Sequence, residues 1–388
     1  MSTTTVPLHR PTPSPAQVRG VSVWKVVFGL FMALGLYVTY LRVFEGLGGT
    51  TNLSDEFPWG IWIGFDVLCG VGLAAGGFTL VAAVHIFNLE KYKPILRPAV
   101  LTAFLGYVLV ILGLMFDLGR PDRIWHPLIM WNPRSVMFEV GWCVMLYSTV
   151  LALEFSPAVF EKFGWQVGLK WFRVISVPLM IAGVILSTLH QSSLGSLYLI
   201  VPQKLYPLWY SPFLPLFFFI SAIAVGLAMT IFESWHSSKA FGRALEAPLL
   251  QGLARALVVV QSTYLVMRMM DLTNRHAWGL LKEQRTETYL FLMELALMVL
   301  PVMLLLRGRV RGNPKALYWC SLMVIFGFIT NRLNISVTGM EAASGVSYIP
   351  KWTEISVTMF IVALGFGIFY LAAKHLPVFE EHEESKAG

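Results

Sequence analysis

Residues 57–87 read FPWGIWIGFDVLCGVGLAAGGFTLVAAVHIF, a run of 31 with one acid, Asp66, and no lysine or arginine. About 20 apolar residues are enough for a helix to cross the hydrocarbon of a bilayer. This run exceeds that length, so it is expected to tilt or to contain a break. Its centre, Gly70–Val71–Gly72–Leu73–Ala74–Ala75–Gly76–Gly77, is built from small residues that let neighbouring helices approach closely.

The rest of the chain repeats the pattern. Further apolar runs lie at 21–43, 95–117, 135–156, 171–196, 213–233, 249–270, 288–306, 315–335 and 352–374, giving ten expected spans. Only helices or closed barrels satisfy their backbone groups in lipid, and barrel strands are about 9–11 residues long. An all-α integral membrane protein follows. Composition agrees: 13% charged residues and 56% hydrophobic ones exclude a disordered chain and leave too few polar side chains to cover a soluble globule. Residues 1–20 are polar and proline-rich and are read as a tail. Residues 21–375 form the membrane domain and 376–388 a second tail. The run at 21–43 is too long for a signal-peptide core and has no following cleavage site.

With the N-terminus inside and the spans alternating, the inner segments hold 18 of the 29 lysines and arginines. The sharpest cluster is Arg307–Gly308–Arg309–Val310–Arg311. Both termini are therefore expected in the cytoplasm. The net charge of +7 then reports topology; no basic cluster interleaved with aromatics points to nucleic acid.

Charges inside spans are expensive and functional by default. Asp66 lies about 12 Å into its span at 1.5 Å per residue. Glu139, His190 with Gln191, Glu294 and Arg332 also fall toward outer ends, while Glu154 and Glu233 fall toward inner ones. Arg268, Asp271, Asp117 and Glu354 lie near interfaces, where a solvated or snorkelling charge is the expected role. A structural ion pair competes with a functional role for Asp66, Glu139 and Arg332. A hydrogen-bonded helix histidine competes for His190. Only His85 and His190 of the eight histidines fall in spans, near opposite faces, so no bis-histidine haem is expected. The three cysteines, Cys69, Cys143 and Cys320, stand apart and give no iron–sulfur site. No metal site and no phosphate-binding loop is evident.

Several strings cluster at outer span ends: FPWGIWIGFD at 57–66, DLGRPD at 117–122, WNPRSVMFE at 131–139, HQSSLGSL at 190–197, PLW at 207–209, NRLN at 331–334 and YIPKWTE at 348–354. Together they resemble the NrfD/polysulfide-reductase family of membrane subunits over about residues 22–376, and within it the HybB-type branch that serves nickel–iron hydrogenase 2. The resemblance implies two four-helix bundles with flanking helices, a bound quinone (menaquinone ahead of ubiquinone), and no haem. It implies docking on a ferredoxin-like four-cluster iron–sulfur subunit fed by large and small [NiFe] hydrogenase subunits. These partners would sit on the periplasmic side of a bacterial inner membrane. It carries the quinone role onto Asp66, Glu139 and His190, with Arg332 as a further member of the pocket.

The residues allow a matching chemistry. His190 would donate to a quinone oxygen as it gains charge, Asp66 or Glu139 would supply protons, and Trp62 or Trp59 would stack, the interfacial aromatic belt being the alternative for Trp59. Tyr107, Glu139 and Glu154, with Tyr147 and Ser148, could relay protons, although tyrosine and serine in spans more often join helices. The same quinone role in a molybdoenzyme, a multihaem cytochrome complex or an alternative complex III stays open. So does a secondary transporter or channel, against which stands the gathering of charge toward one face, and a purely structural anchor.

Overall fold

The computed structural model describes residues 23–379; the expected tail at 1–20, and that at 376–388 beyond Phe379, lie outside the described residues. Among the described residues, ten helices are long and apolar enough to cross a membrane: α1 (Val23–Phe44), α2 (Trp62–His85), α3 (Glu90–Asp117), α4 (Val136–Lys162), α5 (Gln166–Leu197), α6 (Leu214–Phe241), α7 (Ala247–Asn274), α8 (Thr286–Leu305), α9 (Pro314–Ser344) and α10 (Trp352–His375). There is no strand among the described residues. Short connections at 86–89, 163–165, 242–246 and 306–313 define a turn face. Those at 45–61, 118–135, 198–213, 275–285 and 345–351, the first four longer, define a loop face.

Local signals explain where helices start and stop. The Ser135 hydroxyl accepts from Phe138 N at 3.4 Å, and Asn313 Oδ1 accepts from Lys315 N at 3.0 Å, each satisfying a free helix-end donor. Glu354 reaches back to Lys351 N at 2.8 Å. Gly242, at φ +64°, ends α6 in the left-handed conformation. Several helices outrun the apolar runs: α4 continues to Lys162 and α6 to Phe241, because polar residues at the turn face keep helical hydrogen bonding beyond the hydrocarbon.

Helices α2–α5 pack as one bundle and α6–α9 as another, α6 lying against both α5 and α2. Helices α1 and α10 pair and flank α3. Apolar side chains such as Trp24 and Leu30 on α1, and Trp171, Val174 and Ile181 on α5, are exposed, as a lipid-facing surface requires.

The break expected in the long second span is present: α2 begins as a π-helix over Trp62–Cys69 and opens at Ala74–Ala75. The fifth span instead runs unbroken past Pro178. A second π stretch, Asn334–Thr338, carries α9 on to Ser344, beyond its expected end at 335.

The glycine run makes α2 the best-buried helix. A Cβ on Gly77 would stand 2.5 Å from Ala103 Cβ of α3, and one on Gly70 2.7 Å from a Val110 methyl of the same helix. At Gly226 of α6 it would stand 2.7 Å from both Ala75 C and Gly76 N, so two backbones touch there.

The second bundle is held by charge. Arg268 of α7 pairs with Glu294 of α8 at 2.9 Å, both buried. Glu294 also accepts from Trp209 Nε1, Asn331 Nδ2 and Asn334 Nδ2, each at 2.8 Å. Arg332 donates to Asn331 Oδ1 at 2.7 Å and to Ser221 Oγ at 2.8 Å, and lies 3.6 Å over the Phe218 ring. Arg268, Asp271 and Glu354 were expected to be solvated; they are 6%, 6% and 0% exposed. The reason is that each finds partners: Arg275 binds Asp271 at 2.7 Å, and Glu354 accepts from Asn52 N at 3.0 Å as well as from Lys351.

Two outcomes test this account. Gly226→Ala should destabilise the solubilised protein by about 1–3 kcal/mol through overpacking against backbone, read as a lower thermal midpoint. Glu294→Ala strands a buried guanidinium and should cost roughly 3–5 kcal/mol, whereas Glu139→Ala, at an exposed position, should leave the midpoint near that of the parent protein.

Candidate functional site

The first bundle holds a neutral polar core instead of an ion pair. Tyr107 of α3 and His190 of α5 meet with Oη 2.7 Å from Nδ1. The Tyr147 ring of α4 lies edge-on to Tyr107, centroids 4.7 Å apart. All three side chains are buried. Gln191 donates to Val71 O of α2 at 3.1 Å, tying α5 to the segment just before the α2 break. Three polar atoms in this core, His190 Nε2, Tyr147 Oη and Ser187 Oγ, have no hydrogen-bond partner in the protein. Buried polar groups are almost always paired, so their gathering here makes this core the candidate site.

The polar line continues in both directions. One turn toward the loop face from His190, Ser193 donates to Glu139 Oε1 of α4 at 2.5 Å. Toward the turn face, Ser187 and Gly183 share a helical face with His190, and a Cβ on Gly183 would stand 3.4 Å from Glu154 Oε1. Glu139, His190, Tyr107 and Glu154 thus belong to one stripe between α3, α4 and α5. Glu139 is exposed at its end, not buried in the bilayer core, because it lies in the first turn of α4.

Asp66 and Trp62 belong to a second cluster. Thr358 of α10 donates to Asp66 Oδ2 at 2.9 Å, and the Asp66 side chain closes against Gly113 of α3. Trp62 is 1% exposed and donates from Nε1 to Glu354 O at 3.1 Å. Tyr348 donates to Glu354 Oε1 at 2.6 Å and accepts from Ile61 N at 3.0 Å. Burial and the Glu354 carboxylate push the Tyr348 hydroxyl well above its usual range, so it stays a donor. Trp59 stands edge-on to Tyr198, centroids 6.0 Å apart.

Arg332 belongs to neither cluster; it lies in the second bundle among Asn331, Ser221 and Phe218. The residues the sequence placed in one pocket are therefore divided among three neighbourhoods, all bordering the first half of α2. Sequence reading missed Thr358 and Ser187, plain hydroxyls with no motif around them. It also missed Asn331 and Asn334 as ligands of Glu294, although their string was noticed.

The described spans hold four histidines: His85 on α2, His236 on α6 and His375 on α10, all at turn-face ends, and His190, buried toward the other end of α5. No second histidine of the described spans lies at the depth of His190, whose ring meets Tyr107, so the donor set there does not fit a bis-histidine haem.

A family model described as "Polysulphide reductase, NrfD" matches residues 49–342. A protein of Nitratidesulfovibrio vulgaris Hildenborough is 38% identical over 93% of this chain and 95% of its own length. The "Probable Ni/Fe-hydrogenase 2 b-type cytochrome subunit" of Escherichia coli K12 is 32% identical over 98% of this chain and all of its own. The "Menaquinone reductase, integral membrane subunit" of N. vulgaris is 29% identical, covering 93% and 92%. The chain is a multi-pass membrane protein of the NrfD family, related to hydrogenase and menaquinone reductase membrane subunits.

Proposed function

We propose that this chain is the quinone-reactive electron-transfer subunit of a periplasmic [NiFe] hydrogenase complex, accepting electrons from a docked ferredoxin-like iron–sulfur subunit. The observation that carries the reading is the buried Tyr107–His190 pair with His190 Nε2 unpartnered, close to the loop face. The names of the two relatives support it, one a hydrogenase subunit and one a menaquinone reductase subunit. The loop face is then periplasmic, both termini are cytoplasmic, and the membrane is the inner membrane of a bacterium. The chain itself carries neither haem nor an iron–sulfur cluster in this reading.

A bound quinone, menaquinone first, supplies the acceptor for two electrons and two protons. With the Tyr107 hydroxyl donating to Nδ1, His190 holds its proton on Nε2 and is a donor aimed into the core. Tyr107 fixes that tautomer. A donor held in a water-poor site stabilises charge developing on an acceptor oxygen without reorganising. Glu139, bonded to Ser193 one turn nearer the loop face, is placed to pass protons there. Asp66 is a second proton-bearing group, with Trp62 fixing the α2–α10 contact beside it. Tyr147, Ser187 and Glu154 extend the polar stripe toward the turn face. Arg332 supplies a positive field from the second bundle.

His190→Ala should lower quinone turnover of the purified complex on the order of a hundredfold, and Tyr107→Phe roughly tenfold. Dye-linked hydrogen oxidation by the same preparations should be unchanged. Wild-type quinone turnover in both variants would sink the reading. Glu139→Gln should likewise slow quinone reduction alone, and undiminished turnover would remove Glu139 from the mechanism.

A further inference from the structure

The turn face of the second bundle carries cations that no acid balances. Arg307, Arg309, Arg311 and Lys315 lie in or beside the α8–α9 turn, and the sequence holds no acid from 295 to 340. Arg311 is engaged at its own helix end, donating to Leu305 O at 2.5 Å and to Leu306 O at 3.0 Å. Arg307, Arg309 and Lys315 are exposed, as is Lys239 near the end of α6. On the turn face of the first bundle, by contrast, Lys93 pairs with Glu90 at 3.3 Å and Arg97 with Glu161 at 2.8 Å.

Two of these cations head aromatic columns. On α9, Lys315, Trp319, Leu322 and Phe326 are spaced four, three and four residues apart, so they share one helical face. Trp319 is 64% exposed and Phe326 54%, so this face meets lipid. On α6, Lys239, Trp235 and Phe232 follow the same order from the turn face inward, and Lys239 Nζ lies 4.4 Å over the Trp235 ring.

Tyr318 of α9 joins the two columns. Its ring stacks on Trp235 and Phe232, with centroids 5.2 and 6.0 Å apart and planes within 22° and 15°. Its hydroxyl lies 3.2 Å from His236 Nε2. The seam of α6 and α9 therefore presents ammonium groups at the turn face, indoles below them and phenyl rings deeper. A phospholipid has the matching order: phosphate, interfacial backbone, acyl chain. Membrane topology requires only that cations be more numerous on one side; it does not require them to stand at the heads of two joined aromatic columns.

We propose that the turn-face seam of α6 and α9 is a binding site for one anionic phospholipid. Lys239 and Lys315 take its phosphate, with His236 and the Tyr318 hydroxyl beside it, and an acyl chain lies along Trp319 and Phe326. Arg307 and Arg309 add attraction at the rim. Basic pockets between spanning helices suit such headgroups, because each cation near the surface draws anionic lipid to it. The site is separate from the Tyr107–His190 core and does not depend on the quinone reading.

The full chain, purified in detergent and stripped of lipid, is titrated with dioleoyl phosphatidylglycerol or dioleoyl phosphatidylcholine, and bound lipid is counted by native mass spectrometry. One phosphatidylglycerol should be held on the order of tenfold more tightly than phosphatidylcholine. Lys239→Gln and Lys315→Gln should each weaken it roughly fivefold, and the double variant should lose most of the preference. Lys239→Arg with Lys315→Arg should keep it. Lys91→Gln with Lys93→Gln removes the same charge from the turn face of the first bundle and should leave binding nearly unchanged. All four lysines are exposed, so the variants should melt as the parent does. Equal retention of the two lipids overturns the proposal. So does equal weakening by the two double Gln variants, which would leave these cations a topology signal alone. Displacement of the lipid by millimolar inorganic phosphate would make this a free-phosphate site and overturns it as well.

Discussion

Close backbone approach along α2 is the constraint from which the remaining architecture follows. Its glycines and alanines admit α3 on one side, where Gly106 of α3 faces Ala74, and α6 on another, where Gly226 meets the Ala75–Gly76 peptide. Phe328 of α9 fills the space over Gly72, and Ser336 lies against Gly64. Helices in lipid gain little from burying apolar surface against each other, so small residues and polar contacts must supply the association. Once α2 is surrounded, its first half becomes the place where both bundles and the flanking α1–α10 pair converge. Asp66 and Trp62 lie on that half and Tyr107, His190 and Arg332 near it, while Glu139 and Glu154 lie apart on α4.

The two bundles use polarity differently. In the second, Glu294 gathers four donors and Arg332 spreads over a carbonyl oxygen, a hydroxyl and two aromatic rings. Such a network fixes one arrangement of α6, α7, α8 and α9, with Arg332 Nε left unpaired. In the first, neutral side chains face each other with His190 Nε2, Tyr147 Oη and Ser187 Oγ unpaired. The gathering of those three unpaired atoms around the Tyr107–His190 pair, rather than any single residue, favours the first bundle as the reactive one.

The fold was legible because hydropathy in a bilayer is a strong constraint: run length, the helix-or-barrel choice and the small-residue stretch each left one solution. The site was legible in its membership and not in its grouping. Asp66 and His190 sit at similar depth in the sequence reading, yet Asp66 turns toward Thr358 of α10 and His190 toward Tyr107 of α3. Depth along a helix is read from residue number; azimuth depends on which neighbour packs where, and the π stretch at Trp62–Cys69 shifts the azimuth of everything after it. Arg268 was misjudged for a related reason. Proximity to a span end suggests solvation, but Glu294 enters from a helix 20 or more residues away in sequence and buries the pair.

The exposed position of Glu139 carries the synthesis one step further. A carboxylate in the first turn of α4 sits where the helix dipole favours negative charge, and its bond to Ser193 is made across to α5 from the side facing out. Trp131, Phe138 and Trp142 of the same region pack edge-on or tilted against one another in a group that begins in the 118–135 loop, with Trp142 Nε1 donating to Pro127 O at 2.9 Å. An acid backed by an aromatic row, at the rim of the bundle that holds the Tyr107–His190 pair, is better suited to an approaching partner or ligand than to lipid alone. The loop face therefore combines a rim that is charged and aromatic with an interior one helical turn away that is neutral and hydrogen-bonding. Electrons and protons would meet at that junction, since charge is stabilised at the rim by solvent and dipole, and inside only by preorganised donors such as His190.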